Sequence, residues 1–118
     1  MPGTTRHVLF LDLKDDAGLI AEYERCHAAG AVPAAVVASI RAAGIADMDI
    51  YRSGNRLVMI METLPDFEPA AKAAADAADP AVQAWERLMD RFQQRLDWAD
   101  KDEKWVAGRT IFSLTEQD

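Results

Sequence analysis

An α+β fold, with one antiparallel sheet carrying its helices, is what the order of segments predicts. Apolar runs of strand length recur at 7–13, 45–52 and 57–62, and alanine-rich stretches with helical periodicity separate and follow them. The second and third runs are joined through Ser53-Gly54-Asn55, a turn signal that makes them a hairpin.

Each element has its own local reason. His7 to Leu13 reads as a strand with Val8, Phe10 and Asp12 on one face and His7, Leu9, Leu11 and Leu13 on the other. Both faces are largely apolar, as in a strand covered on both sides. Asp15 and Asp16 place negative charge where a helix N-terminus favours it, and the helix then runs through Tyr23 and His27 towards Gly30. Pro33 suits the opening of a second helical segment, because a missing amide donor costs nothing there, and Gly44 suits its left-handed cap. Ile45 to Arg52 alternates Met48 and Ile50 against Asp47, Asp49 and Tyr51, and Leu57 to Glu62 returns as the third strand. Asp66 is placed to cap a short helix with Pro69 in its first turn, ending at Ala78. Asp79-Pro80 restarts the helix, and Val82, Trp85, Met89, Phe92 and Leu96 form an apolar stripe at helical spacing. After the charged run DKDEK, Thr110 to Leu114 reads as a last strand, with a frayed tail behind it.

The resulting order, strand–helix–strand–strand–helix–strand, is the ferredoxin-like βαββαβ order. Its helices cover one face of the sheet, yet strands one and three are apolar on both. Pairing sheet to sheet in a homodimer covers the second face, and a dimeric α+β barrel is the predicted assembly.

Composition narrows the function. With 118 residues the chain fits one domain, 1–118, with a genuine core. A net charge of −7 speaks against nucleic acid and anionic membranes, which require clustered Lys and Arg. The single cysteine, Cys26, rules out an internal disulfide framework and suits a reducing compartment. VLFLDL is broken early by charge, unlike a signal peptide, and no apolar run reaches the length of a membrane span, so a cytoplasmic location is predicted. Nucleotide loops are missing, the two histidines His7 and His27 do not suggest a zinc site, and no serine sits in a nucleophile elbow. No metal and no cofactor is expected.

The stretch LIAEYERCHAAGAVP, 19–33, holds the most suggestive chemistry. As a helix it puts Leu19, Ile20, Tyr23, Cys26 and His27 on one arc. A phenol and an imidazole one turn apart could hydrogen-bond a polyhydroxylated ligand and exchange a proton with it, histidine being suited to this near neutrality. The plainer alternative makes Tyr23 a core aromatic and His27 a satisfied buried histidine.

Several pieces, taken in order, carry a resemblance that covers most of the chain. They are YERCH at 23–27, Pro33, RAAGIADMDIY ending at Tyr51, the Gly54-Asn55 turn before LVMIME, and VQAWERLM with Trp85 and Met89. Together they are similar to the L-rhamnose mutarotase family, small dimeric α+β barrels that interconvert the anomers of a deoxy sugar. The resemblance implies His27 as proton donor, Tyr23 as a sugar contact and Trp85 as a wall of the site, with no cofactor. Val32, Met48 and Glu86 stand where the family commonly has Trp, Tyr and a second Trp, and the gap from His27 to Pro33 is one residue longer. Such changes bear on which hydroxyl pattern is read. Some proteins resembling this family act on L-fucose, and with these departures L-fucose is preferred over L-rhamnose. Met48 and Glu86 are then expected in the site, the alternative for Glu86 being an exposed helix carboxylate, with Asp12, Glu86 or a water held by them as base. Two other readings share the barrel: a cofactor-free monooxygenase or isomerase, and a small-ligand-binding barrel in which His27 is silent.

Overall fold

The computed structural model describes residues 3–117, in which a four-position antiparallel sheet is backed by helices. The strands are β1 (Thr5–Leu13), β2 (Ile45–Ser53) and β3 (Arg56–Thr63), with two-residue strands β4 (Gln93–Gln94) and β5 (Val106–Ala107). The order is β2-β3-β1-β4, and β5 also pairs with β1. β4 lies opposite Asp12 and Leu13, and β5 opposite Leu9 and Phe10, so together they form one interrupted fourth strand. This is the predicted α+β, ferredoxin-like arrangement.

The helices start and stop where local chemistry dictates. α1 (Ala17–Cys26) begins at Asp16, whose carboxylate accepts from the Leu19 amide at 2.9 Å. His27 closes it, and Gly30 turns the chain at φ 81°. α2 (Ala34–Ala42) follows Pro33, which stands just before the helix rather than inside it, and Gly44 stops it at φ 96°. A Cβ on Gly44 would lie 3.2 Å from an Asp66 carboxylate oxygen. α3 (Pro69–Ala78) opens after Glu68, not at the expected Asp66 cap. α4 (Pro80–Asp90) begins at Asp79, whose side chain accepts from the Ala81 amide at 3.0 Å.

Two expectations need correction. The apolar stripe from Val82 to Leu96 is not one helix, because α4 ends at Asp90; Phe92 reaches the core from the turn after it and Leu96 from the loop that follows β4. Thr110–Leu114 is not a strand. The free edge of β1 is already taken by β4 and β5, so this segment has no ladder to join, and Ile111, Phe112 and Leu114 are exposed.

Strand alternation sorts the sheet into two faces. Leu9, Leu11, Leu13, Leu57, Met59, Met61, Met48 and Ile50 face the helices. Leu13, Tyr23, Leu57, Met89 and Phe92 form the centre of the core on that side. The register puts Val8, Phe10, Val58, Ile60 and Tyr51 on the other face, beneath no helix. No helix among the described residues is long and apolar enough to cross a membrane.

Candidate active site

A cavity of about 540 Å³ opens between the inner face of the sheet and the helices. Its floor is the methionine-rich centre of β2 and β3, including Met48, Met59 and Met61. Tyr23 and His27 come from the end of α1, Trp85 and Glu86 from α4, Gln93 from β4, and Trp105 from the residue before β5.

Tyr23 is buried, whereas His27 is half-buried. Their ring centroids are 4.2 Å apart, and the His27 ring meets Trp85 edge-on at 5.2 Å. His27 closes α1, so its ring folds back on the last turn. Its Nδ1 donates to the Tyr23 carbonyl at 2.7 Å. That bond sets the tautomer and leaves Nε2 as the ring nitrogen a ligand can meet. A histidine with one nitrogen tethered and the other available can deliver or receive a proton at a defined point.

Burial pushes the Tyr23 phenol up to about 12, with the polar Gln93 side chain nearby opposing the rise and the Glu86 charge adding to it. Tyr23 is therefore a neutral phenol over the whole physiological range. Glu86 is gripped from outside the cavity: Lys104 Nζ donates to Glu86 Oε2 and to Asp90 Oδ1, each at 2.8 Å. Burial works against the Lys104 charge, but the hydrogen bonds to Asp90 and Glu86 outweigh it and hold the ammonium above its usual range.

The structure thus brings Tyr23, His27, Met48, Trp85 and Glu86 to one cavity. It does not bring Asp12 there. Asp12 lies on the opposite face of β1 by alternation, where Arg56 takes both its oxygens at 2.8 and 3.2 Å, so it is corrected from a site residue to a partner of Arg56. Gln93 and Trp105 went unpredicted. Trp105 was open to suspicion as an indole in a charged connection, one of only three in the chain. Gln93 carried no signal, since its face is set by its pairing opposite Leu13. Among the described residues no group of three or more His, Cys, Asp or Glu is gathered so as to hold a metal ion.

An α+β sheet with a tethered histidine and aromatic walls around a mixed polar–apolar hollow defines a class: small proteins with a site equipped for acid–base chemistry. A family model described as L-rhamnose mutarotase matches residues 6–114. The chain belongs to the L-rhamnose mutarotase family and is a sugar mutarotase, a carbohydrate isomerase of the epimerase type. It is 56% identical over 106 residues to an L-fucose mutarotase of Xanthomonas campestris pv. campestris, covering 90% of this chain and 85% of that one. The crystal structure of an L-rhamnose mutarotase from Formosa agariphila has the same fold, with a TM-score of 0.66 at 15% identity over 93% of this chain and 98% of that one.

Proposed function

We propose that this enzyme interconverts the α and β anomers of a 6-deoxy aldose, with L-fucose preferred over L-rhamnose, and that it works as a homodimer without a cofactor. The observation that carries the reading is the tethered imidazole: His27 Nδ1 held by the backbone and Nε2 left beside a phenol and an indole at the cavity. The preference for fucose rests on the 56% identical relative of that name and on the departures at Val32, Met48 and Glu86, all of which line the cavity. Replacing aromatic walls by a thioether and a carboxylate changes the hydroxyl pattern that can be matched, and buried hydrogen-bonding groups discriminate more sharply than shape alone.

The mechanism moves two protons and leaves nothing consumed. His27, as the imidazolium, gives its Nε2 proton to the ring oxygen. Glu86 takes the proton of the anomeric hydroxyl through Oε1, the oxygen outside its ion pair with Lys104. The bond between the anomeric carbon and the ring oxygen breaks, the aldehyde turns about the adjacent carbon–carbon bond, and reversal closes the ring on either face. Tyr23, neutral at every working pH, serves as a hydrogen-bond donor and not as a base. Mutarotation already runs in water, so each group need supply only about 10²- to 10⁴-fold.

Anomer exchange followed by saturation-transfer NMR tests this. The protein is expected to speed exchange of L-fucose more than of L-rhamnose or galactose, and His27→Gln is expected to keep the fold and lose about 10²-fold or more. Exchange of no aldose faster than in buffer, or full activity in His27→Gln, overturns the reading.

A further inference from the structure

Helix α3 has its polarity reversed. Its sequence, PAAKAAADAA, carries two charged residues, Lys72 and Asp76, among alanines. An amphipathic helix keeps its apolar side chains against the protein and its charges in water. Here Pro69 and every alanine of the helix are exposed, while Lys72 and Asp76 are half-buried, their side chains 23% and 25% accessible. They stand one turn apart, and Lys72 Nζ donates to Asp76 Oδ2 at 2.5 Å. Drawing an ion pair partly out of water costs desolvation that the attraction within the pair offsets only in part. Rotating α3 to expose the pair would avoid that cost and cover alanine methyl groups instead. The face that carries the charges lines the cavity, not the core. Such a face suits polar contents.

The cavity is also larger than the chemistry requires. A 6-deoxy aldose fills roughly 200 Å³ at the packing density of a protein interior, whereas the cavity holds about 540 Å³. Tyr23, His27, Trp85 and Glu86 wall the part in which the mechanism runs, and the lining continues to Val36 and Ile40 of α2 and to Lys72 and Asp76 of α3. The two parts adjoin: Gln83, one turn before Glu86 on α4, donates its Nε2 to the Asp76 carbonyl at 2.9 Å. In the mechanism above, His27 acts on the ring oxygen and Glu86 on the anomeric hydroxyl. C3 and C4 lie across the ring from those atoms. A group attached there leaves every reacting atom untouched and points away from both catalytic side chains.

The ion pair uses one of the three ammonium protons and one of the two carboxylate oxygens. What it retains suits neighbouring hydroxyls, since the carboxylate accepts a proton from one and the ammonium donates to the oxygen of the next. As a unit the pair is neutral, which favours a sugar over a phosphate. We propose that this part of the cavity is a second sugar subsite: the enzyme takes reducing-end 6-deoxy aldoses that carry a further glycosyl unit on the C3 or C4 oxygen, and Lys72 and Asp76 hold the hydroxyls of that unit. The inference rests on the mutarotase reading and widens its substrate class from a free monosaccharide to the reducing end of a disaccharide.

The test compares L-fucose with two reducing disaccharides of L-fucose, joined through the C3 or the C4 oxygen of the reducing unit, on the full chain and its Lys72→Met and Asp76→Asn variants. Binding is followed by tryptophan fluorescence, and kcat/KM by NMR anomer exchange at the reducing end. At least one disaccharide is expected to bind the wild type about tenfold more tightly than L-fucose and to exchange its anomers faster than in buffer. Each variant is expected to cost that disaccharide at least about fivefold more than it costs L-fucose. Disaccharides that bind no more tightly than L-fucose, an advantage that survives both variants, or equal losses on both sugars overturn the proposal; equal losses would mean that the pair meets the first ring or only supports α3. A protein that exchanges no aldose yet binds a disaccharide about tenfold more tightly, through Lys72 and Asp76, overturns the mutarotase reading and leaves the subsite standing.

Discussion

At the scale of single residues, the site is governed by which atoms are already engaged. His27 has one nitrogen used by the backbone, Glu86 one oxygen used by Lys104, and Asp12 both oxygens used by Arg56. In the proposed mechanism the chemistry falls to the atoms left over: His27 Nε2, Glu86 Oε1 and the Tyr23 hydroxyl. Tyr23 also leaves a mark on stability. In the unfolded chain a phenol ionises near 10, and in the folded protein burial holds it to about 12. Between those values the unfolded state has lost a proton that the native state keeps, so stability is complete below about pH 10 and falls as pH rises towards 12. Two units correspond to roughly 2–3 kcal/mol. Urea unfolding at pH 8 and pH 11 should show this loss in the wild type and a smaller one in Tyr23→Phe. Equal losses in the two proteins would mean that Tyr23 ionises freely in the folded state.

At the scale of elements, the connection between β4 and β5 decides how the cavity is walled. Lys104 spans two carboxylates one turn apart on α4, and the next residue, Trp105, lines the cavity and packs against the core. Exposed ion pairs contribute little, about 0–1 kcal/mol each, but this one anchors the chain to α4 at the residue next to an aromatic wall. Lys104→Met keeps the aliphatic stem and removes the clasp. It is expected to cost under about 1 kcal/mol in urea unfolding, and to weaken sugar binding severalfold as Trp105 loses its register. A large stability loss with unchanged sugar binding would mark the clasp as purely structural. Such a connection is hard to read in a sequence. Leu9, Met48, Tyr23 and Trp85 were legible because strand and helix periods place them. Gln93 was not, because a two-residue strand has no period and its face is decided by Leu13 across the ladder. Thr110–Leu114 misled for the reverse reason. Its β-branched and aromatic residues fit a strand, but the edge it would join is filled by β5, with Gly108 close under Phe10, where a Cβ would come within 2.6 Å of the ring.

At the scale of the whole molecule, the two faces of the sheet are unequally treated. The inner face holds the core and the cavity; the outer one presents half-buried Val8, Phe10, Val58 and Ile60 with no helix above them, beside exposed Tyr51. Apolar side chains on a sheet face that no helix covers fit the homodimer proposed above, in which a second sheet would cover them. A second copy is the partner favoured by the sheet-to-sheet reading, because the same patch on two identical sheets is self-complementary about a two-fold axis. Charged residues sit at its ends, with Asp12 on Arg56 and Arg6 on Glu62, the latter carboxyl held below its usual range by Arg6 and Thr4. Ile60, central on β3, is the position to test. Ile60→Lys puts an ammonium in the middle of the proposed contact, while its alternation keeps it away from the cavity. Light scattering is expected to give twice the 13.0 kDa chain mass for the wild type and the single mass for Ile60→Lys. Because Ile60 lies on the face of the sheet opposite the cavity, the Ile60→Lys chain should still catalyse anomer exchange while it stays folded, at lower thermal stability. A wild type that is monomeric at all concentrations, or an Ile60→Lys protein that remains a dimer, would place the contact elsewhere on the molecule or remove it.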